Sequence, residues 1–141
     1  MSVREGSIAL DTDGAWVLLR SGSVGRVIGT RGGLPDAFPI CYWFTPTGLR
    51  FAPSEGQRFA TDGQPFIVGV QAEGETATHR WTVMAIGPAT LRPAALTDDR
   101  PAWDGSRPDH VVTVAADLLN GFAVRRADPQ AERAGVVLGD R

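Results

Sequence analysis

The chain has 141 residues, 43% of them apolar and 21% charged, a balance that predicts one folded domain and excludes a disordered chain. Its 17 glycines and 10 prolines are too many for a helical bundle, because both residue types break helices, and they favour a β-dominated domain. The net charge is −2, and all 14 basic residues are arginines with no cluster beyond Arg125-Arg126, which excludes the basic surface of a nucleic-acid-binding protein.

The predicted elements begin with a short helix at 12–20, for which Asp11, Thr12 and Asp13 offer capping oxygens and which Gly22 ends. Its apolar stripe consists of Ala15, Trp16, Leu18 and Leu19. Strand-like segments follow at 24–30, 37–44, 49–52, 66–72, 79–91, 110–115 and 121–125. We read the Gly74 region as the turn that closes the strand at 66–72. About seven strands at this spacing predict a sandwich or barrel with a few short helices. We expect one domain over 1–141, with its core at about 15–126 and a mobile tail at 127–141.

The strand at 37–44 is apolar on both faces. Phe38, Tyr42, Trp43 and Phe44 supply more aromatic surface than a small barrel interior absorbs, so we expect a second subunit to cover part of it. A single cysteine permits no intrachain disulfide, and neither a signal segment nor a membrane span is apparent. These features predict a cytoplasmic protein that forms a homodimer.

The residues offer little acid–base or metal chemistry. His79 and His110 lack a third ligand at a telling spacing, so no metal site is predicted. Ser106, Asp109 and His110 contain the residue types of a hydrolase triad, but an adjacent Asp and His on one loop do not line up as one. We assign no catalytic side chain.

The turn at 53–58 has more promise as a binding element. It follows a strand and offers successive backbone N–H groups, the Ser54 hydroxyl and the Arg58 guanidinium. Because the chain has no lysine, any phosphate would be held by groups of these kinds. The turn is therefore a candidate cradle for one phosphate, although a solvated loop would have a similar sequence.

The order of these segments resembles the pyridoxamine 5′-phosphate oxidase-like family of FMN-binding split β-barrels, in particular its small actinobacterial-type members. The resemblance covers residues 15–126 and rests on the order and spacing of five weak motifs rather than on one strong motif. They are the helix ending at Leu18-Leu19, the segments 24–27 and 38–42, the strand that runs from Phe51 into the turn at 54–58, and the segment 81–89 before a closing strand at 120–126.

This resemblance implies an antiparallel, Greek-key-like split barrel that dimerises around FMN. By position it implies that Arg58 holds the phosphate with Ser54 and Gln57, and that Thr82 lies near the ribityl-phosphate. The segments along the flavin ring would be Pro39, Ile40, Cys41 and Tyr42, with Ala52 and Pro53. Trp81 matches an aromatic position that is as well explained by core packing.

Three positions depart from the family pattern. Gln57 replaces a hydroxyl residue, Pro53 replaces a frequent Thr, and Cys41 stands where Asn is common. Each lost hydrogen bond to a charged group weakens binding by about 1.5–3 kcal/mol. The departures leave room for weak FMN binding or for a different ligand.

Three functions follow. The first is an FMN-dependent oxidoreductase that passes hydride from NAD(P)H to a small acceptor, with the chemistry residing in the flavin. The second is a reductase that uses the deazaflavin F420, whose acidic tail Arg26, Arg31 and Arg50 would serve. The third is a non-catalytic dimer that binds flavin, haem or another planar ligand.

Overall fold

The computed structural model describes residues 7–31, 33–54, 66–95, 98 and 100–126, with only the backbone of residue 31. One helix and eight strands occur in these residues, and all strand pairs are antiparallel. The elements are β1 (Ser7–Ala9), α1 (Thr12–Ser21), β2 (Val24–Arg31), β3 (Leu34–Thr45), β4 (Gly48–Phe51), β5 (Phe66–Glu75), β6 (His79–Pro93), β7 (His110–Val114) and β8 (Leu118–Arg125). The predicted tail at 127–141 lies outside the described residues.

The strands β2 to β7 form a closed barrel. Their order around it is β6-β5-β2-β3-β4-β7, and β7 pairs with both β4 and β6, which completes the circle. β8 and β1 extend the sheet outward from β6. The prediction of a mainly β, antiparallel split barrel is therefore confirmed.

The barrel splits along β6, which serves two neighbours on one edge. Its first half, through Ile86, pairs with β8, and its last residues, from Ala89, pair with β7. Gly87 lies at the changeover, where a Cβ atom would overlap the carbonyl oxygen of Ala115. The chain between β7 and β8 thus crosses β6 at a point where only glycine leaves room.

The helix α1 packs on the barrel core, as its apolar stripe predicts. Asp11 accepts a hydrogen bond from the Gly14 N–H at 2.7 Å, and Gly22 is the C-terminal cap. Ala15 and Leu19 are fully buried in the same cluster as the inward residues of the strands. The predicted helix and its end at Gly22 are confirmed, and of the three candidate N-cap residues Asp11 is the one that caps the helix.

The predicted end of β5 is wrong. The strand runs on to Glu75, and the hairpin turn lies at 76–78, where Thr76 Oγ1 accepts the backbone N–H groups of Thr78 and His79. Gly74 is paired with Trp81, and a Cβ atom at Gly74 would meet the indole. This glycine makes room for a cross-strand ring rather than for a turn.

Three further elements differ from the prediction. β1 pairs with β8 but has too few residues to show a pattern, and β8 begins at Leu118 rather than at residue 121. Within the described ranges there is one helix instead of a few. Among the described residues, no helix has the length and apolar character needed to cross a membrane.

The aromatic residues of β3 are covered largely by the chain itself. Tyr42 is in the core, and Trp43 is buried in a second cluster with Ala52, Ala102 and Val111. Phe44 meets the Trp16 ring edge-on, with centroids 5.5 Å apart. The homodimer stays a prediction, but these aromatic residues no longer require it.

Candidate functional site

The candidate site is a cleft on the outer face of the barrel. Side chains alternate along β2, β3 and β5, so that Val27, Ile40 and Val70 fill the core while their neighbours face outward. The cleft has a volume of about 380 Å³, within the range of small-molecule sites. It is open on one side and is lined by Val24, Gly25, Arg26, Pro39, Gln71, Glu73 and Trp103.

The strand register places the polar groups of the cleft side by side. Arg26 on β2 pairs with Pro39 on β3 and with Gln71 on β5, so the three residues are neighbours across the sheet. Gln71 Nε2 donates to Thr82 Oγ1 on β6 at 3.3 Å. This bond uses the amide nitrogen of Gln71, so the amide carbonyl oxygen stays available as an acceptor. Thr82 thereby orients the amide.

Trp103, on the segment that connects β6 to β7, forms one wall of the cleft. Its side chain is 52% exposed, which is high for an indole. It sits in a tight turn, in which Ala102 N–H donates to the Ser106 carbonyl at 2.9 Å and Gly105 has a φ of +83°. Asp104 accepts from both the backbone N–H and the hydroxyl of Ser106. The indole is thus presented by an ordered turn.

This turn is fixed to the barrel through its flanking residues. Ala102 is buried against Trp43, Ala52 and Val111, and the Arg100 guanidinium lies 5.7 Å from the Trp43 ring centroid. The Trp103 wall therefore rests on the outer faces of β3 and β7.

A partly buried ion pair ties the beginning of the same segment to β4. Arg50 Nη1 donates to Asp98 Oδ1 at 3.0 Å, and Asp98 Oδ2 accepts the Ala95 N–H at 2.9 Å. The Asp98 side chain is only 4% exposed. The hydrogen bond from the Ala95 backbone and the charge of Arg50 hold the pKa of Asp98 below its usual value.

The predicted ring-contacting residues of β3 divide by face. Pro39 lines the cleft, and Cys41, half-buried, pairs with Val24 of the cleft. Ile40 and Tyr42 point into the core, where the Tyr42 hydroxyl donates to the Leu19 carbonyl at 2.6 Å. These two residues can offer a ligand on the outer face only backbone atoms.

The predicted phosphate turn is only partly described. Ala52 and Pro53 are buried and Ser54 is half-buried at the end of β4, whereas Gln57 and Arg58 lie outside the described residues. Among the arginines suggested for a longer acidic ligand, Arg26 lines the cleft but Arg50 is committed to Asp98. The Arg31 side chain also lies outside the described residues.

The sequence interpretation missed five residues that line the cleft: Val24, Gly25, Gln71, Glu73 and Trp103. Gln71 and Glu73 belong to the outward half of a strand whose alternation was visible, so their exposure could have been inferred. Trp103 stands in the polar run Trp-Asp-Gly-Ser, where an exposed indole is itself a signal of binding. Within the described ranges no group of three His, Cys, Asp or Glu residues could hold a metal ion.

Comparison with known proteins identifies the fold. No family model and no curated protein matches the sequence. Among solved structures, a candidate pyridoxamine 5′-phosphate oxidase from Corynebacterium glutamicum superposes with a TM-score of 0.67 at 19% identity, covering 85% of this chain and 99% of its own. An FAD-binding protein from Mycobacterium smegmatis gives 0.62 at 22% identity, covering 84% of this chain and 99% of its own.

A third similar structure is an FAD-binding protein from Mesorhizobium loti, with a TM-score of 0.62 at 16% identity. It covers 85% of this chain and 98% of its own. At these identities the similarity shows a common fold. The resemblance to the split-barrel family is therefore confirmed at the level of the fold.

Proposed function

We propose that this split barrel binds a flavin, with the isoalloxazine ring in the outer cleft, and that it acts as a flavin-dependent oxidoreductase. The observation that carries the proposal is the composition of the cleft. An indole, two apolar side chains, a guanidinium, an amide and a carboxylate line a volume suited to a planar heterocycle. The fold adds support, because the similar structures include two FAD-binding proteins.

The lining residues fit a flavin ring chemically. Trp103, Pro39 and Val24 supply apolar surface for its faces. Arg26 and Gln71 supply a cationic donor and an oriented amide for the carbonyl and nitrogen atoms along its edge. A phosphate would be held by Ser54, Gln57 and Arg58, the assignment that the family resemblance implies.

Of the two cofactors that the sequence suggested, we favour FMN over the deazaflavin F420. The acidic tail of F420 would need several arginines, and Arg50 was one of those suggested for it. Because Arg50 is paired with Asp98, it is not available for that tail, which argues against F420. Glu73 adds a negative charge to the cleft, which also disfavours a polyanionic tail.

The flavin, when bound, supplies hydride and electron transfer between NAD(P)H and a small acceptor. The chain would supply binding, orientation and exclusion of water. Arg26 and Gln71 orient the ring edge, and the turn that carries Trp103 shields one side of the cleft from solvent. No side chain is assigned to proton transfer.

The open side of the cleft requires a cover, and we propose a second copy of this chain. The outer face continues from the cleft into apolar residues on adjacent strands, with Ile67 64% exposed and Leu118 63% exposed. Ile28, Met84 and Ile86 lie half-exposed between these strands. A contiguous apolar sheet face of this kind is typical of an interface.

The proposal is tested by purifying the chain and recording its absorption spectrum, followed by mass identification of any molecule released on denaturation. The apoprotein is then titrated with FMN, FAD and F420, and NADH and NADPH oxidation is measured with the bound flavin. We expect FMN to bind best and Arg58→Ala to weaken FMN binding but not riboflavin binding, because riboflavin lacks the phosphate. Absence of flavin binding would overturn the proposal, and bound flavin without NAD(P)H oxidation would leave a non-catalytic flavin module.

A further inference from the structure

The Trp103 wall has no counterpart in the phosphate turn or in the strand segments that the sequence resemblance assigns to the flavin. It comes from the connection between β6 and β7, whereas the other lining residues belong to β2, β3 and β5. It is also the only exposed tryptophan in the part of the chain that the structure describes.

An exposed indole costs free energy that the turn does not recover by folding alone. The neighbouring Ala102 is buried, whereas Trp103 next to it faces the cleft. If the indole served only for packing, we would expect the tryptophan at the buried position 102 and the alanine at the exposed position 103. A buried tryptophan removes far more apolar surface from water than a buried alanine.

The turn also fixes the backbone that carries the indole before any ligand arrives. Ala102 and Arg100 fix it against the Trp43 cluster, and Asp104 bonds Ser106 twice across the turn. The Arg50–Asp98 ion pair anchors the start of the segment to β4. A side chain presented by such a support loses little conformational entropy when a ligand packs on it.

We infer that Trp103 is the specificity-determining residue of the cleft, and that it selects planar heteroaromatic rings by stacking its indole on one face of the ring. The opposite face of the ring would lie toward Val24 and Pro39, with Arg26 and Gln71 at its edge. The inference rests on the proposed function for the identity of the ring, a flavin, but the stacking role itself extends to any planar ligand of the cleft.

The test compares Trp103→Phe, which keeps a planar ring, with Trp103→Leu, which keeps only apolar bulk. Riboflavin and FMN are the probes, since riboflavin reports ring binding without the phosphate turn. We expect Trp103→Leu to raise Kd for both probes about tenfold, in the range of stacking on an aromatic side chain, and Trp103→Phe to raise it less than about threefold. Trp16→Phe is the matched control, since Trp16 packs on Phe44 away from the cleft.

Tryptophan fluorescence provides a second readout. Ligand binding should quench the emission of the parent chain and of Trp16→Phe, while Trp103→Phe should lose most of this quenching. Circular dichroism and thermal melting verify that each variant is folded. Trp103 in the turn is exposed, so neither substitution is expected to disturb the core.

The outcomes separate this inference from the proposed function. If riboflavin binds with the same Kd in all variants and the quenching persists in Trp103→Phe, the stacking role is overturned while the flavin proposal stands. If flavins fail to bind but F420 or haemin binds with quenching that depends on Trp103, the stacking role stands and the flavin proposal fails. If none of these planar probes binds, both are overturned.

Discussion

Arg50 and Asp98 form an ion pair beneath the wall of the cleft, with Nη1 and Oδ1 3.0 Å apart. Arg50 belongs to the barrel and Asp98 to the connection that carries Trp103. The position of the wall relative to β2, β3 and β5 therefore depends on a contact between residues 48 positions apart. We therefore expect substitutions at this contact to affect both the stability of the protein and the shape of the candidate cleft.

Asp98→Asn should destabilise the chain by about 2 kcal/mol, because the partly buried Arg50 guanidinium loses the charge of its partner. Urea unfolding at pH 7 measures this loss. Asp109→Asn is the control, as Asp109 is exposed on the same connection. Riboflavin binding should weaken in Asp98→Asn along with the anchoring of the wall. An unchanged free energy of unfolding would show that the pair does not hold the segment.

The Asp98 carboxylate should also make the free energy of unfolding depend on pH in the acidic range. Its pKa is lowered on folding, so its contribution to stability is complete above the ordinary carboxyl value of about 3.9 and is lost as the pH falls through the lower, folded value. The parent chain should therefore lose more free energy of unfolding than Asp98→Asn between pH 5 and pH 2. Parallel slopes in the two proteins would contradict this assignment.

Between pH 10 and pH 12, the stability of the protein should depend mainly on one group, the buried phenol of Tyr42. Burial raises its pKa to about 12, and the chain has one tyrosine and no lysine, so above pH 10 this phenol is the main group that titrates before the arginines. The folded state holds the proton that the unfolded state releases near pH 10, so stability should fall as the pH rises from 10 to 12. Urea unfolding across this range measures the slope.

Tyr42→Phe should remove that slope. At pH 7 it should lower the free energy of unfolding by about 1 kcal/mol, because the Leu19 carbonyl loses its 2.6 Å hydrogen bond. A slope that persisted in Tyr42→Phe would assign the alkaline transition to another group.

Gly25 and Gly29 form a matched pair on β2. A Cβ atom at Gly25 would overlap the Gln71 carbonyl oxygen, whereas at Gly29 the nearest atom is Val68 Cγ1 at 3.8 Å. Gly25→Ala should push β2 away from β5 and cost about 2 kcal/mol or more, while Gly29→Ala should be nearly neutral. Thermal unfolding compares them, and equal effects would rule out the close approach of the two strands.

The proposed covering by a second copy is tested by charge on the apolar face. Ile67→Glu should convert a dimer to a monomer, because it places a carboxylate in the contact. Val17→Glu is the control, since Val17 on α1 is 67% exposed, close to the 64% of Ile67. Sedimentation equilibrium at micromolar concentration distinguishes the species. A parent chain that is already monomeric would overturn the second-copy proposal.

Much of the architecture could be predicted from the sequence. The short helix near residues 12–20 and its end at Gly22 are local signals, and both appear in the structure where the pattern predicts them. The order of the strands was sufficient to suggest the split barrel. Gly74 misled the interpretation because a glycine that admits a neighbouring ring has the same local sequence as one that makes a turn.

The binding cleft was decided by tertiary structure. The sequence supplied an apolar strand that contains Pro39 and a polar run that contains Trp103, but not their meeting, since closure of the barrel and the Arg50–Asp98 pair bring them together across more than sixty residues. The sequence likewise could not assign Ile40 and Tyr42 to the core and Pro39 to the cleft, because both faces of that strand are apolar. Local propensity and alternation determine elements, whereas long-range pairing determines which side chains share a surface.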